Sequence, residues 1–489
     1  MEAAPSPSPP RPEDEASPPR PPPPRLPAGG AREAGSAEAR VTVGVLMKSS
    51  KTDKFLRRLR GLGDRDETDA SARGKGGLCL VRKGVRVDDG RGDAMKMAAG
   101  RSARPRFRYI AMDPQEDLSL QGKIDVLLSK PNDWVMRCLF ESNPEATALV
   151  ERIEKYITAN PSLCVIQAPK KVIPFLDRGL MYSLIQRSKN PKVCTPRAVR
   201  ISRKSWLARG DKKESGDSDE IQELQRLKYP VICKRLVACG SRNSHQMIVS
   251  PSFEALRASL DDDFRKTVPP ERTRESLRLQ EFCRKAYQCP VGEPGWIVQE
   301  FVPHDGTVHK VYLLGDMVHV ASQPSFGSES ANRPAAKDPS ECKSQRTSQS
   351  SAIRQSILWN SHEPPPECGL DIMSSLKHSQ VQRNSQDVEK VRKSLAEIVK
   401  EIASIFSSAC SQSLEMDKID MLGIDVIESF GRPSDPTNSV AGDDDDDGKT
   451  LYVVDVNFLP SYKTMEEKCF RVEFEKTVLN RIHQNAEDR

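Results

Sequence analysis

Two short runs near the C-terminal end constrain this chain more than anything else in it: LGIDVI (422–427) and LYVVDVNFLPSY (451–462). Both are built from strand-forming aliphatics, and both carry oxygen-bearing side chains in their midst, Asp425 in the first and Asp455 with Asn457 in the second. Strand side chains alternate faces, so Asp455 and Asn457 point the same way, about 6.6 Å apart along the chain. A lone carboxylate in an apolar run costs several kcal/mol unless a charge meets it. If the two runs pair, Asp425 joins Asp455 and Asn457 on one sheet face. Two acids and an amide there suit magnesium, which takes a few protein oxygens and leaves room for phosphates and water. The alternatives are an edge strand whose polar face meets water, or acids that each find an Arg or Lys.

The remaining pattern supplies sheets for these runs. VTVGVLM (41–47), RFRYIAM, IDVLLS (124–129) and LCVIQ read as strands. Between them lie the helical periodicity of PEATALVERIEKYITAN and the helix KKVIPFLDRGLMYSLIQRSK. Strands alternating with helices predict a parallel α/β domain over 41–200. In it KSSKTDK reads as a polar, basic turn, and the Gly-, Arg- and Asp-rich 56–106 as loop or insertion. A second domain, 201–489, holds YPVICKRL (229–236), MIVS, WIVQEFV (296–302) and the hairpin TVHKVYLL-GD-MVHVAS. The amphipathic helix DVEKVRKSLAEIVKEIASIFSSA, the two acid-bearing runs and a final helix over 464–484 complete it. Polar insertions are expected near 261–290, 327–356 and 433–449, and residues 1–40 form a Pro-rich tail without a core.

Composition narrows the function classes. A net charge of +6 over 489 residues favours anionic ligands weakly. No basic patch interleaved with aromatics marks a nucleic-acid binder. The 12 cysteines form no C-x-x-C pair and fit a reducing compartment. No stretch approaches the roughly 18 apolar residues of a membrane span. A cytoplasmic protein, with nuclear presence allowed, is the expectation.

Two lysines sit where strands do not ask for them. Lys234 follows three apolar residues in PVICK, and Lys310 lies inside VHKVYLL. A nearby phosphate explains both; snorkelling to the surface is the alternative. The turn ACGSRNSH after Lys234 has small residues that let backbone amides approach an anion, and His245 closes it. Residues 299–302 (Gln299, Glu300, Phe301, Val302) are an extended segment able to hold a nucleotide base by its backbone. Competing motifs fail: GDDDDDGKT has its first glycine one residue too early for a P-loop and too many aspartates, and neither H-R-D, D-F-G nor an early G-x-G-x-x-G is present.

The succession of strand lysine, small-residue loop, VQEFV, second strand lysine, GID and VDVN over 229–457 resembles an ATP-grasp domain. In detail it resembles the inositol tetrakisphosphate 1-kinases, also called inositol trisphosphate 5/6-kinases. The matching segments are VGVLMKSSK, IDVLLSKP, FLDRGLMYSLI, PVICKRLVACGSRNSHQM, IVQEFVPHDGTVHKVYLLGD, QPSF, LWNSH, LGIDVI and VVDVNFLPSYK. The resemblance implies an ATP-grasp fold, ATP as co-substrate, two magnesium ions, an inositol polyphosphate acceptor and a monomer. It implies that Lys51, Lys130 and His245 hold the inositol phosphate. Arg178 and Lys234 would hold ATP phosphates, and residues 299–310 would contact adenine with Lys310 turned to the acceptor. Ser325 and Ser361 would touch nucleotide, Asp425 and Asp455 would bind magnesium, and Asn457 would bind magnesium and touch the substrate. The chain departs from the family at Gln323, Ser461 and Pro365, positions that bear on substrate preference. A carboxylate–amine ligase and a catalytically weak inositol phosphate binder are the alternatives.

Overall fold

A computed structural model describes residues 40–60, 106–208, 219–240, 242–267, 271–289, 291–304, 306–325, 356–360, 385–411, 418–430 and 449–487. The expected tail, the segments 61–105, 327–355 and 433–448, and Ser361 and Pro365 lie outside them.

The N-terminal part is the expected parallel sheet. Strands β1 (Arg40–Leu46), β2 (Arg106–Ala111), β3 (Val126–Ser129) and β4 (Cys164–Ile166) lie in the order β2-β1-β3-β4, all parallel. Its centre is aliphatic on both faces: Val43, Val45, Val126, Leu127 and Leu128 are fully buried, as strands covered by helices require. The turn expected at KSSKTDK is instead the start of helix α1 (Ser49–Arg60). Its inward stripe is only Thr52, Leu56 and Leu59, and Phe55 meets Phe470 and Phe474 edge-on. The partners that make the helix worthwhile lie some four hundred residues downstream, so local sequence shows only its basic outer face. Helices α2 (Asn132–Phe140) and α3 (Pro144–Ala159) follow. The long helix expected over KKVIPFLDRGLMYSLIQRSK divides into a 3-10 turn (Pro169–Phe175) and α4 (Arg178–Ile185), because Asp177 caps the second piece by accepting from Leu180 N at 3.1 Å.

Two antiparallel sheets follow. The chain lays β5 (Ala198–Ser202), α5 (Arg203–Ala208), α6 (Asp219–Gln225), β6 (Val231–Arg235), β7 (Gln246–Ser250), α7 (Phe253–Lys266), α8 (Arg274–Tyr287) and β8 (Gly295–Glu300). It then forms the hairpin β9 (Thr307–Leu314) and β10 (Met317–Pro324), returns through β11 (Ile357–Asn360) and α9 (Ser385–Ser411), and ends with β12 (Met421–Phe430), β13 (Lys449–Phe458) and α10 (Glu467–Glu487). The sheets are β11-β7-β6-β8-β5 and β10-β9-β12-β13.

The insertion expected over 261–290 is largely helical, in α7 and α8. Helix α7 carries three consecutive aspartates, Asp261, Asp262 and Asp263. Two of them turn inward: Asp261 accepts from Trp206 Nε1 at 2.9 Å, and Asp263 takes Arg235 at 2.6 and 2.7 Å and Trp296 Nε1 at 2.9 Å.

The third sheet has two unlike faces. Leu422, Ile424, Val426, Val453, Val456 and Phe458 look into a core shared with α9 and Phe175, whose ring stacks on Phe406 and Phe458. Gly423, Asp425, Asp455 and Asn457 lie on the opposite face, toward the second sheet. The class is the mixed α/β one expected. Among the described residues no helix is long and apolar enough to cross a membrane, and the described cysteines are free.

Candidate functional site

The acid-bearing runs pair as neighbours. In the β12–β13 ladder Asp425 stands opposite Asp455 and Gly423 opposite Asn457. On the other side of β12, Lys310 of β9 stands opposite Asp425. Lys310, Asp425 and Asp455 therefore form one rung across three strands. Lys310 Nζ donates to both Asp425 oxygens, at 2.8 and 3.0 Å. Burial opposes the charge on Lys310, but the facing carboxylate outweighs it and leaves the ammonium above its ordinary pKa. Asp425 is pushed up by burial, with the negative charge of Asp455 adding and Lys310 opposing. Two carboxylates side by side, with one lysine flanking Asp425 on its other side, make a face that a further cation would stabilise. Among the described residues no group of three or more His, Cys, Asp or Glu is gathered as a metal site. Here the third oxygen is the amide of Asn457, exposed on the same face as Asp455. Hard oxygen donors of that kind, on an open face, fit magnesium.

Register slips by one residue between Asp425 and Val426, so Val454 is an extra residue on β13. Such bulges re-aim side chains and occur beside active sites. The Val454 carbonyl accepts from Lys234 Nζ at 2.7 Å and from the Tyr182 hydroxyl at 3.0 Å. Lys234 thus reaches across from β6 in the second sheet. Burial drives its pKa down to about 8, with Arg178 adding and the charges of Asp455 and Asp425 opposing. The lysine that seemed out of place in an apolar strand is the residue that joins the two sheets.

Around this point the sheets enclose a cleft of about 560 Å³, open mouth included, with Ile232, Met247, Phe301, Val308, Ile427 and Val454 among its lining. Gln299, Glu300, Val302, His304 and Ser325 line it too. Gln299 is buried and its amide donates to Tyr182 Oη. Glu300 accepts from Lys228 N at 2.9 Å, which leaves it structural in this state. Ser325 bonds His304 Nε2 at 2.8 Å, and His304 Nδ1 lies 2.9 Å from the Val302 carbonyl. A carbonyl only accepts, so Nδ1 carries the proton. Apolar walls and the extended segment that leaves β8 suit a flat base.

Arg178 lies between the loop after Lys234 and Asp455. Its terminal nitrogens donate to the carbonyls of Arg235, Val237, Ser244 and Ala238, at 2.9, 3.0, 3.3 and 3.4 Å, so it staples the loop after Lys234. Its Nε has no hydrogen-bond partner and lies 3.7 Å from Asp455 Oδ1.

Lys51 and Lys130 gather at a second place beside the first turn of α2. Lys51 Nζ donates to Asp133 Oδ2 at 3.2 Å. Lys130 donates to the Leu459 carbonyl, two residues past Asn457. Burial and then the charge of Lys51 push the Lys130 pKa down to about 8. The small-residue loop closes over them: Gly240, at φ +80°, packs where an added Cβ would meet Met136 at 2.7 Å. His245 is half-buried at the end of the 3-10 turn that follows. Gln323 is exposed on β10, and Ser461 is exposed with its carbonyl held by Arg58 at 2.9 Å. Sequence reasoning did not single out Tyr182, His304 or the bulge. A histidine two residues after the extended segment 299–302 was a signal for one of them.

No protein-family profile matches the chain. Among curated proteins it is 23% identical over 358 residues to an inositol-tetrakisphosphate 1-kinase of Xenopus laevis, covering 72% of this chain and 66% of that protein. It is 23% identical over 226 residues to the protein of that name from Danio rerio, covering 45% of this chain and 46% of that protein. It is 23% identical over 222 residues to inositol-tetrakisphosphate 1-kinase 3 of Arabidopsis thaliana, covering 45% of this chain and 47% of that protein. The matches thus span between 46% and 66% of these relatives' own length. Among solved structures, VanG D-Ala:D-Ser ligase of Enterococcus faecalis aligns at TM-score 0.40 and 9% identity, covering 91% of this chain and 99% of that one. A RimK domain ATP-grasp protein of Sphaerobacter thermophilus aligns at 0.35 and 10%, covering 90% and 100%. By sequence the chain is a distant relative of the inositol-tetrakisphosphate 1-kinases, and its architecture is the mixed α/β one expected of an ATP-grasp protein.

Proposed function

We propose that the chain is an ATP- and magnesium-dependent kinase that transfers the γ-phosphoryl group to a hydroxyl of an inositol polyphosphate. The acceptor class is that of the inositol 1,3,4-trisphosphate 5/6-kinases and inositol 3,4,5,6-tetrakisphosphate 1-kinases. The observation that supports it most is the rung Lys310–Asp425–Asp455 facing Lys234 across an apolar-walled cleft. Magnesium held by Asp425, Asp455 and Asn457 would neutralise the charge of the transferring group. Lys234 leaves the Val454 carbonyl to meet nucleotide phosphates, and residues 299–302 with His304 and Ser325 enclose the base. Lys51, Lys130 and His245 orient the acceptor by its phosphates, and Lys310 is placed between the metal ligands and that acceptor. Phosphoryl transfer asks for little else than alignment and charge neutralisation.

The purified protein, incubated with magnesium, labelled ATP and a panel of inositol tris- to hexakisphosphates resolved by isomer, is expected to label at least one acceptor. ATP hydrolysis without labelling of any acceptor contradicts the reading. A catalytically weak inositol phosphate binder is the second reading, favoured by the departures at Gln323 and Ser461. It predicts binding of the same ligands without label transfer.

A pH dependence follows from the two buried lysines. Both are depressed to about 8, so both cations are present at pH 7 and lost as pH rises through that value. Phosphate monoesters have their second pKa at about 6, so they are already largely dianionic at pH 7 and change little above it. Affinity for ATP and for the acceptor is each expected to fall by roughly tenfold between pH 7 and 9, measured by titration calorimetry. Flat profiles would show that neither lysine meets the anions.

A further inference from the structure

We propose that Tyr182 is a positioning residue that aims the Asp455 carboxylate through the bulge at Val454, an inference that rests on the reading of Asp455 as a magnesium ligand. The bulge residue is the one that the ladder skips, and its carbonyl is held from outside the sheet, by Lys234 and Tyr182. Lys234 has a second task in that reading, since its ammonium must turn to the nucleotide. Tyr182 has none. It is 3% exposed, and burial together with the charge of Asp455 keeps its hydroxyl protonated. The Gln299 amide donates to the hydroxyl oxygen, which directs the hydroxyl proton to the Val454 carbonyl.

The helix that carries Tyr182 is fixed independently. Asp177 caps it and, fully buried, pairs with Arg200 at 2.9 Å. Arg178 N donates to the Leu236 carbonyl at 2.8 Å, and Ala238 N to the Leu176 carbonyl at 2.9 Å. Arg178 and Tyr182 stand four residues apart, on one helix face. They reach β13 at adjacent residues, Arg178 at the Asp455 carboxylate and Tyr182 at the Val454 carbonyl. A rigid helix thus grips the peptide that carries the metal ligand. Loss of the hydroxyl releases that peptide while the groups that would touch metal and acceptor stay unchanged.

The test uses the full chain with saturating ADP and Mn²⁺ as the probe, free Mn²⁺ being read by electron paramagnetic resonance. Wild type, Tyr182→Phe, Gln299→Leu, Tyr182→Phe/Gln299→Leu and Asp455→Ala are compared, each checked by thermal unfolding and for ADP saturation, with Gln299→Leu alone expected to bind Mn²⁺ as wild type does. The double variant removes the amide that Tyr182→Phe alone would leave buried without a partner. Both Tyr182 variants are expected to raise the Mn²⁺ dissociation constant roughly tenfold, the effect usual for groups that orient a metal ligand. The acceptor KM of Tyr182→Phe is expected to stay at its wild-type value. Folded Tyr182 variants that bind Mn²⁺ as wild type does would overturn the inference, with Asp455→Ala still weakening it. Asp455→Ala binding Mn²⁺ unchanged would overturn the reading of Asp455, and Tyr182's role with it.

Discussion

Asp455→Asn is expected to lower the rate of phosphoryl transfer by about a thousandfold, the upper range for removing one electrostatic stabiliser of a transition state, while the chain stays folded. The substitution keeps the shape of the side chain, which is 25% exposed. The apolar face of β13 and its pairing with β12 do not depend on the charge. What changes is the site. Asp455 stands opposite Asp425 and beside the bulge, where its carboxylate holds the Lys234 ammonium in its charged form and raises the Asp425 pKa. Without that charge Lys234 gives up its proton more readily, and the cation-binding face is left with one carboxylate. The measurement is kcat at saturating ATP, acceptor and magnesium, beside a thermal unfolding curve. Turnover within tenfold of wild type, in a variant that unfolds at the wild-type temperature, would remove Asp455 from the chemistry.

Lys234→Met is expected to act on the nucleotide instead. Truncating a buried charged partner of a bound ion weakens binding by roughly a hundredfold, so the ATP dissociation constant should rise by about that factor. The acceptor, which meets Lys51 and Lys130 at the other end of the site, should bind as before. Stability should not suffer. Methionine fills the same space, the desolvation cost of a buried ammonium is removed, and the Val454 carbonyl keeps its bond from Tyr182. The variant also separates the two pH dependences. Its residual ATP affinity should no longer fall between pH 7 and 9, whereas acceptor affinity should still fall with Lys130. Unchanged ATP affinity would mean that Lys234 serves only to tie β6 to the bulge.

The sequence carried the centre of the site because that centre is a violation of strand chemistry. Acids and an amide among aliphatics, and lysines at buried strand positions, have few explanations, and the pairing of 421–430 with 449–458 brings Asp425 opposite Asp455 as their pattern required. What stayed hidden depended on distant partners. Helix α1 reads as a basic turn because Leu56 and Leu59 find their cover on α10. The stretch 261–290 reads as a polar insertion because Trp206, Arg235 and Trp296, which Asp261 and Asp263 hold, lie on other elements. The resemblance gives Arg178 a phosphate-binding role, and its further bonds to the carbonyls of Arg235, Val237, Ala238 and Ser244 had no mark in the sequence. A β-bulge has no sequence mark at all here: Val454 is an ordinary strand residue until the register on its two sides is known.

The most direct measurement of the central claim is anomalous scattering from crystals grown with Mn²⁺ and a non-hydrolysable ATP analogue. The account predicts manganese between the Asp425 and Asp455 carboxylates, with the triphosphate running from that density to the Lys234 ammonium. Manganese bound elsewhere, with Asp425 still closed on Lys310 and Asp455 bare, would contradict it.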